Sequence, residues 1–176
     1  MLPKVHEHVG SRGMALERLH IVPNGVQPHA WPAGAARLGG AAGSVLAGIA
    51  GEGRSIVGYA GNHGISNALQ TLLGTAKLMQ GEKVSFVLVG GGPEKDALRR
   101  WAQAKGLRNV HFVDPVAKDD IPALLQWFDI AYIGWRRQPL YRFGIAPNKL
   151  MDYMMAGRPV LHAVEAGNDP VGEAGC

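Results

Sequence analysis

The stretch GIAPNKLMDYMMAG, residues 144–157, puts an ammonium where a helix is about to begin. Pro147 forces its predecessor out of helical geometry and Asn148 is a good N-cap, so the spacing predicts a helix starting near Lys149. Lys149 and Asp152 then share one face, about one turn apart. A lysine beside unpaired helix amides costs roughly a few tenths of a kcal/mol unless an anion sits between them. Two positive features converging on one point fit a phosphate group. Asp152, at the end of that turn, is placed to accept hydrogen bonds from sugar hydroxyls, as carboxylates do for ribose in nucleotide sites. The alternative for Asp152 is helix-dipole complementarity with pairing to Lys149.

Three further loops carry residues of interest. In Gly61-Asn62-His63-Gly64, glycines at both ends let the backbone approach a ligand and lead into helix amides, a ready anion site; the alternative is a tight turn with His63 merely solvated. In GGGPEKD, residues 90–96 when Gly90 is counted, the glycines serve the turn, Pro93 takes the first helical position, and Glu94 and Asp96 complement the helix dipole. Lys95 there reads as a solvated charge. Arg136, Arg137 and Arg142, in the basic loop before Pro147, either add to the anion field or stand in solvent.

Several classes are excluded or disfavoured. A nicotinamide-dinucleotide fingerprint needs G-x-G-x-x-G with an acid roughly 20 residues on, and neither is present. No G-x-x-x-x-G-K-[ST] phosphate loop occurs. The only cysteine is the terminal Cys176, which rules out a disulfide framework and a cysteine metal site. The net charge of +4 comes from 18 Lys and Arg against 14 Asp and Glu, scattered rather than interleaved with aromatics, so a phosphorylated small molecule is favoured over nucleic acid. No apolar run approaches the ~20 residues of a membrane span, and the N-terminus lacks a signal-peptide core. The expectation is a cytoplasmic protein.

The elements that must position these loops alternate. SIVGYAG, VSFVLVG, NVHFVD, DIAYIGW and RPVLHAV read as buried strands. Between them lie helical patterns: ISNALQTLLGTAKLM, with Ile65, Leu69, Leu72, Leu73 and Ala76 at helical spacing, then PEKDALRRWAQAKG, DDIPALLQWF and NKLMDYMMAG. Continuous apolar strands separated by helices predict an α/β fold, a doubly wound Rossmann-like parallel sheet with helices on both faces. Ligands of such sheets bind beyond the carboxyl ends of the strands. At 176 residues one main domain is expected. Residues 1–30 read as a helical piece followed by a short apolar strand in LHIVPNGVQPHAW. Residues 31–54, Gly- and Ala-rich, read as a flexible linker running into one short helix, packed outside the sheet.

With these motifs in order, residues 21–176 resemble the C-terminal, donor-binding domain of a family 4 (group 1) GT-B glycosyltransferase. The landmarks are IVPNGV, VGYAGNHGISNALQTLLGTAKLM, FVLVGGGPEKDAL, VHFVDPVAKDDIPALLQWFDIAYI and PNKLMDYMMAGRPVL. The resemblance implies that residues 1–30 end a preceding domain and its linker, and that residues 55–176 form a nucleotide-sugar-binding domain cut short at its C-terminus. It implies donor contacts from Gly61, Asn62, His63, Gly64, Arg142, Pro147, Asn148, Lys149 and Asp152, with Lys149 facing the diphosphate and Asp152 the ribose. The substrate would be a nucleoside diphosphate sugar, with no further cofactor and no protein-bound metal. No D-x-D element occurs in the chain.

Two departures stand out. The family's E-x7-E places a glutamate at position 144, which is Gly here, and its second acid is Asp152. The family's Arg and Lys after the first strand are absent from GNHGISNALQ. The implied reaction is sugar transfer with retention to a hydroxyl acceptor, such as a lipid-linked saccharide held by a missing N-terminal domain. These 176 residues alone are expected to be inactive, and peripheral contact with the inner face of a membrane stays open. The other readings are a GT-B epimerase or phosphorylase domain and a non-catalytic Rossmann-like nucleotide-binding module.

Overall fold

A computed structural model of the chain describes residues 2–31 and 38–175. Five strands, β1 (Ser55–Ala60), β2 (Val84–Val89), β3 (Val110–Val113), β4 (Ile130–Gly134) and β5 (Val160–Ala163), form one sheet in the order β3-β2-β1-β4-β5. Every neighbouring pair is parallel. The doubly wound sheet expected from the sequence is therefore present. The chain steps outward from β1 to β3, then returns across β1 to build β4 and β5. The order thus reverses between β1 and β4, the position at which open α/β sheets leave a crevice.

Side chains alternate along each strand to fill two separate cores. On one face Val57, Tyr59, Phe86, Leu88 and Tyr132 meet α3 (Leu69–Leu78) and α4 (Lys95–Ala104) through Leu69, Leu72, Leu73, Ala76, Leu98 and Ala102. On the other, Ile56, Val87, Val89, Ala131 and Ile133 meet α2 (Gly40–Gly51), α5 (Ile121–Leu125) and α6 (Asn148–Met155). A fully buried Leu contributes about 1.5–3 kcal/mol. Leu46, Leu72, Leu73, Leu124 and Leu125 are all buried to 1% exposure or less, so both layers hold the sheet.

The structure corrects several expectations. The helix over ISNALQ breaks: residues 65–67 form a 3-10 turn, Ala68 takes the left-handed conformation at φ 48°, and α3 starts only at Leu69. Ile65 is 61% exposed because it lies outside the helical stripe. Pro93 precedes α4, which begins at Lys95 after Glu94. The segment after residue 38 is not packed outside the sheet, since α2 buries Leu46 and Ile49 in the core beside β1. Residues 32–37 of the expected linker lie outside the described residues. No strand forms in LHIVPNGVQ, where Ile21 and Val22 remain exposed and pair with neither edge of the sheet.

The first residues have their own role. α1 (His6–Ser11) and the chain before it lie against the loop that precedes α6: the Lys4 amide donates to the Phe143 carbonyl at 2.7 Å, and the His8 ring lies 5.2 Å from that of Phe143. Further along, the Asn24 amide donates to the Ala146 carbonyl at 2.6 Å. A short last helix, α7 (Pro170–Glu173), is capped by Asp169. Among the described residues no helix is long and apolar enough to cross a membrane.

Candidate functional site

α6 is pinned at the point where the strand order reverses. The hydroxyl of its buried Tyr153 accepts from the Ala60 amide at 3.2 Å and donates to the Tyr132 carbonyl at 3.4 Å, tying the helix to the last residue of β1 and the middle of β4. The N-cap is Pro147, in extended geometry, and not Asn148 as the sequence suggested. Asn148 is the first helical residue and its exposed side chain caps nothing, because the fixed φ of Pro147 sets the turn one residue earlier. With no side-chain cap, the first-turn amides keep their donors.

Lys149 leaves the first turn of α6 and runs back under the loop after β1. Its ammonium lies 4.9 Å from the centre of the Tyr59 ring and 3.5 Å from Asn67 Oδ1. No carboxylate stands within ion-pair distance among the described residues. Burial pulls its pKa down, as expected for a cation with too little solvent and no counter-ion. Lys149 and Asp152 do not pair. Asp152 is half-buried one turn further on, its carboxyl raised in pKa by burial and partly offset by Lys118, so the two charges of the motif face different neighbours.

The loops after β1 and β2 are cross-linked. The His63 amide donates to the Gly91 carbonyl at 2.7 Å, and the Glu94 amide donates to the His63 carbonyl at 2.9 Å. His63 is fully buried, not solvated, between the rings of Tyr59 and Phe112. Neither ring nitrogen makes a hydrogen bond of normal geometry, although one approaches the Val89 carbonyl closely enough to favour the proton slightly. Burial, helped by nearby Lys95, lowers its pKa to about 4, and the ring is neutral at pH 7. Gly90, at φ 143°, has no room for a side chain, since a Cβ would fall 1.9 Å from the Gly61 carbonyl oxygen.

Lys95 is likewise not a solvated charge. Its ammonium donates to the Gly90 carbonyl at 2.8 Å, the Val113 carbonyl at 3.3 Å and Asp114 Oδ1 at 2.7 Å, clamping the ends of β2 and β3. Between these loops opens a cavity of about 260 Å³, lined by Gly61, Asn62, Gly90, Gly91, Pro115, Val116 and Ile121 among others. Lys149 does not line it; its Cε lies 3.4 Å from where a Cβ of the lining Gly61 would stand.

Of the residues picked out in the sequence, Gly61 and Asn62 line this cavity, and Lys149 stands next to Gly61. Gly64 packs against Asn62 and Asn67, and His63 is a wall behind the loop. Arg142 stands apart, its guanidinium 4.5 Å over the Phe143 ring and lining a different cavity. Position 144 has φ 91°, and a Cβ there would lie 2.6 Å from Pro3, so the glutamate of the family pattern has no place in this loop. Sequence reasoning missed Tyr59, Asn67 and Tyr153. Only Tyr153 carried a signal, as an aromatic on the apolar side of the motif helix; Tyr59 and Asn67 act through contacts with residues about 80 or more positions away.

The sheet order defines a doubly wound α/β domain, and the 260 Å³ cavity opens beyond the carboxyl ends of β1, β2 and β3. The chain belongs to the glycosyl transferases group 1 family, whose model matches residues 54–176. It is 30% identical over 115 residues to a protein named as the colanic acid biosynthesis glycosyl transferase WcaI of Escherichia coli K12, covering 65% of this chain and 28% of that one. It is 37% identical over 83 residues to the D-rhamnosyltransferase WbpZ of Pseudomonas aeruginosa PAO1, covering 47% and 21%. The chain thus spans between 21% and 28% of the length of these relatives. Its fold is similar to that of HepE of Anabaena, solved with UDP-glucose, at a TM-score of 0.69 and 19% identity over 92% of this chain and 43% of that one.

Proposed function

We propose that the crevice binds a nucleoside diphosphate sugar and that the chain is the donor-binding part of a glycosyltransferase. The carrying observation is Lys149: a largely buried ammonium without a carboxylate partner, beside the uncapped first turn of α6, is a site that lacks its anion. In this reading the nucleoside enters the 260 Å³ cavity, and its diphosphate meets Lys149 and the α6 amides. Asp152 accepts from the ribose hydroxyls, while Gly61, Asn62 and Gly64 bring backbone and amide groups alongside. His63 supports the loop from behind.

The reaction proposed is transfer of the sugar, with retention, to a hydroxyl of a saccharide acceptor. The departing diphosphate gathers negative charge as its bond to the sugar breaks, and Lys149 with the helix amides stabilises that charge. The acceptor is presented by a second domain, so these residues alone bind the donor without turning it over. Support comes from family membership and from relatives several times longer than the matched region.

The test is thermal stability against UDP, GDP, ADP and NAD, where a ligand at ~100 times its Kd adds about 2.7 kcal/mol. A shift with one nucleoside diphosphate is expected and names the base. A shift with NAD alone, or with none of the four at millimolar concentration, overturns the donor site.

A further inference from the structure

A second cavity, of about 540 Å³, lies beyond the ends of β4 and β5 and shares no lining residue with the first. Its volume falls in the roughly 300–1,000 Å³ range of small-molecule sites. Arg137, Gln138 and Arg142 line it from the loop after β4, and Glu165 and Gly167 from the loop after β5.

The two loops that line this cavity are cross-linked beside it. Asn168 clamps the two loops through both ends of its side chain: Oδ1 accepts from the Ile145 amide at 2.6 Å, and Nδ2 donates to the Ile145 carbonyl at 3.2 Å. The Gly167 amide donates to the Tyr141 carbonyl at 2.8 Å. A Cβ on Gly167 would fall 2.0 Å from the Arg142 carbonyl oxygen, so only glycine allows the loops to meet this closely. The Lys4 ammonium closes the same corner by donating to the Gly167 carbonyl.

Charge at the cavity does not balance. Arg137 pairs with Glu165 at 2.8 Å across the exposed rim. Arg142, the other cation that lines it, has no carboxylate within ion-pair distance among the described residues. An excess of guanidinium over carboxylate selects for an anion, and a guanidinium matches a carboxylate or phosphate with two parallel hydrogen bonds.

The sheet order β2-β1-β4-β5 sets the first cavity at the β1–β2 ends and the second at the β4–β5 ends. With strands about 4.8 Å apart, the midpoints of the β1–β2 and β4–β5 pairs are about 10 Å from one another. We propose that the second cavity takes a sugar bearing an acidic group, a carboxylate or a phosphate, held by Arg137 and Arg142. Naming the ligand a saccharide rests on the transferase reading. Its selection by charge rests on the cavity alone.

The test is a site-resolved NMR titration of the 176-residue chain with glucuronate, glucose 1-phosphate, glucose and inorganic phosphate, none of which carries a nucleotide. Glucuronate or glucose 1-phosphate should shift the Arg142, Gly167 and Asn168 amides at concentrations at least tenfold below those at which glucose or phosphate acts. Which of the two acts names the acidic group. The paired variant Arg137→Gln with Arg142→Gln should weaken that response at least tenfold, while Lys149→Ala leaves it in place. Equal response to glucose or to phosphate alone overturns the proposal. So does loss of the response in Lys149→Ala with the arginine variant unaffected, which would put the anion at α6. Amide spectra of both variants report their folding directly.

Discussion

Asn67 joins Lys149 to the loop after β1: its Oδ1 lies 3.5 Å from the Lys149 ammonium while its Nδ2 donates to the Asn62 carbonyl at 2.9 Å. The same carbonyl accepts from the Tyr59 hydroxyl at 2.7 Å. The lysine is therefore held by neutral partners in a partly desolvated position, an arrangement that keeps a charge ready at a cost to the unliganded fold.

That cost predicts opposite signs for binding and stability. Lys149→Met keeps the volume and removes the desolvated charge, so the unliganded variant should melt at the same temperature as the parent or about 2–4 °C higher, equivalent to about 1 kcal/mol for a chain of this size. Affinity for a nucleoside diphosphate should fall about tenfold or more, with the nucleoside barely affected, because a charge-assisted hydrogen bond contributes about 1.5–3 kcal/mol. Calorimetric titration with the two ligands and a melting curve read both effects. Equal loss for diphosphate and nucleoside would assign the lysine a structural part.

His63 predicts acid sensitivity. Its pKa is lowered in the fold from 6.5 to about 4, so between those values the unfolded chain binds the proton that the folded one refuses. Stability then rises with pH across this window and is lost as the pH falls from 6.5 towards 4, by about 3 kcal/mol in all for this residue. Burial lowers the pKa of His111 and His162 as well, which adds to the same sign. Urea unfolding of the parent and His63→Phe at pH 4.5 and 7 isolates the contribution: the variant should show the smaller difference, and an unchanged difference would place the acid sensitivity elsewhere.

The Lys95 clamp predicts an asymmetry between its partners. Lys95→Met leaves the Gly90 and Val113 carbonyls without the ammonium and should cost about 1–3 kcal/mol. Asp114→Asn should change stability little, since that carboxylate is exposed and its ion pair is screened by water. Chemical denaturation of both variants measures this, and a larger loss for the aspartate would reverse the assignment.

Gly90→Ala tests how closely the first two loops must meet. The substitution combines positive φ with a Cβ placed on the Gly61 carbonyl, so a loss of about 2 kcal/mol or more is expected, together with weakened nucleoside diphosphate binding. A variant that binds and melts like the parent would show that the loops have slack.

Much of this protein was legible along the chain. The βαβ alternation and the parallel sheet followed from continuous apolar strands between amphipathic helices, because both patterns report burial within a few residues. Lys149 stood out at a helix start because its sign is wrong for the dipole, an anomaly visible within one turn. Local rules failed where a neighbour across the fold decided the outcome. Ala68 is an unremarkable alanine in sequence, yet it breaks the helix that Ile65 was expected to join. Lys95 looks like any surface lysine, and only the convergence of Gly90, Val113 and Asp114 makes it a clamp.

The sequence by itself determined the order of the five sheet strands and the helices between them, the sheet class and the loop that would carry the charge, since hydrophobic periodicity and helix-end chemistry act between near neighbours. Tertiary structure alone decided that Lys149 turns to Tyr59 and Asn67 rather than Asp152, that His63 is buried, and that Arg142 faces a separate cavity. Those outcomes depend on strand order, which brings residues about 80 positions apart into contact and which no local pattern records.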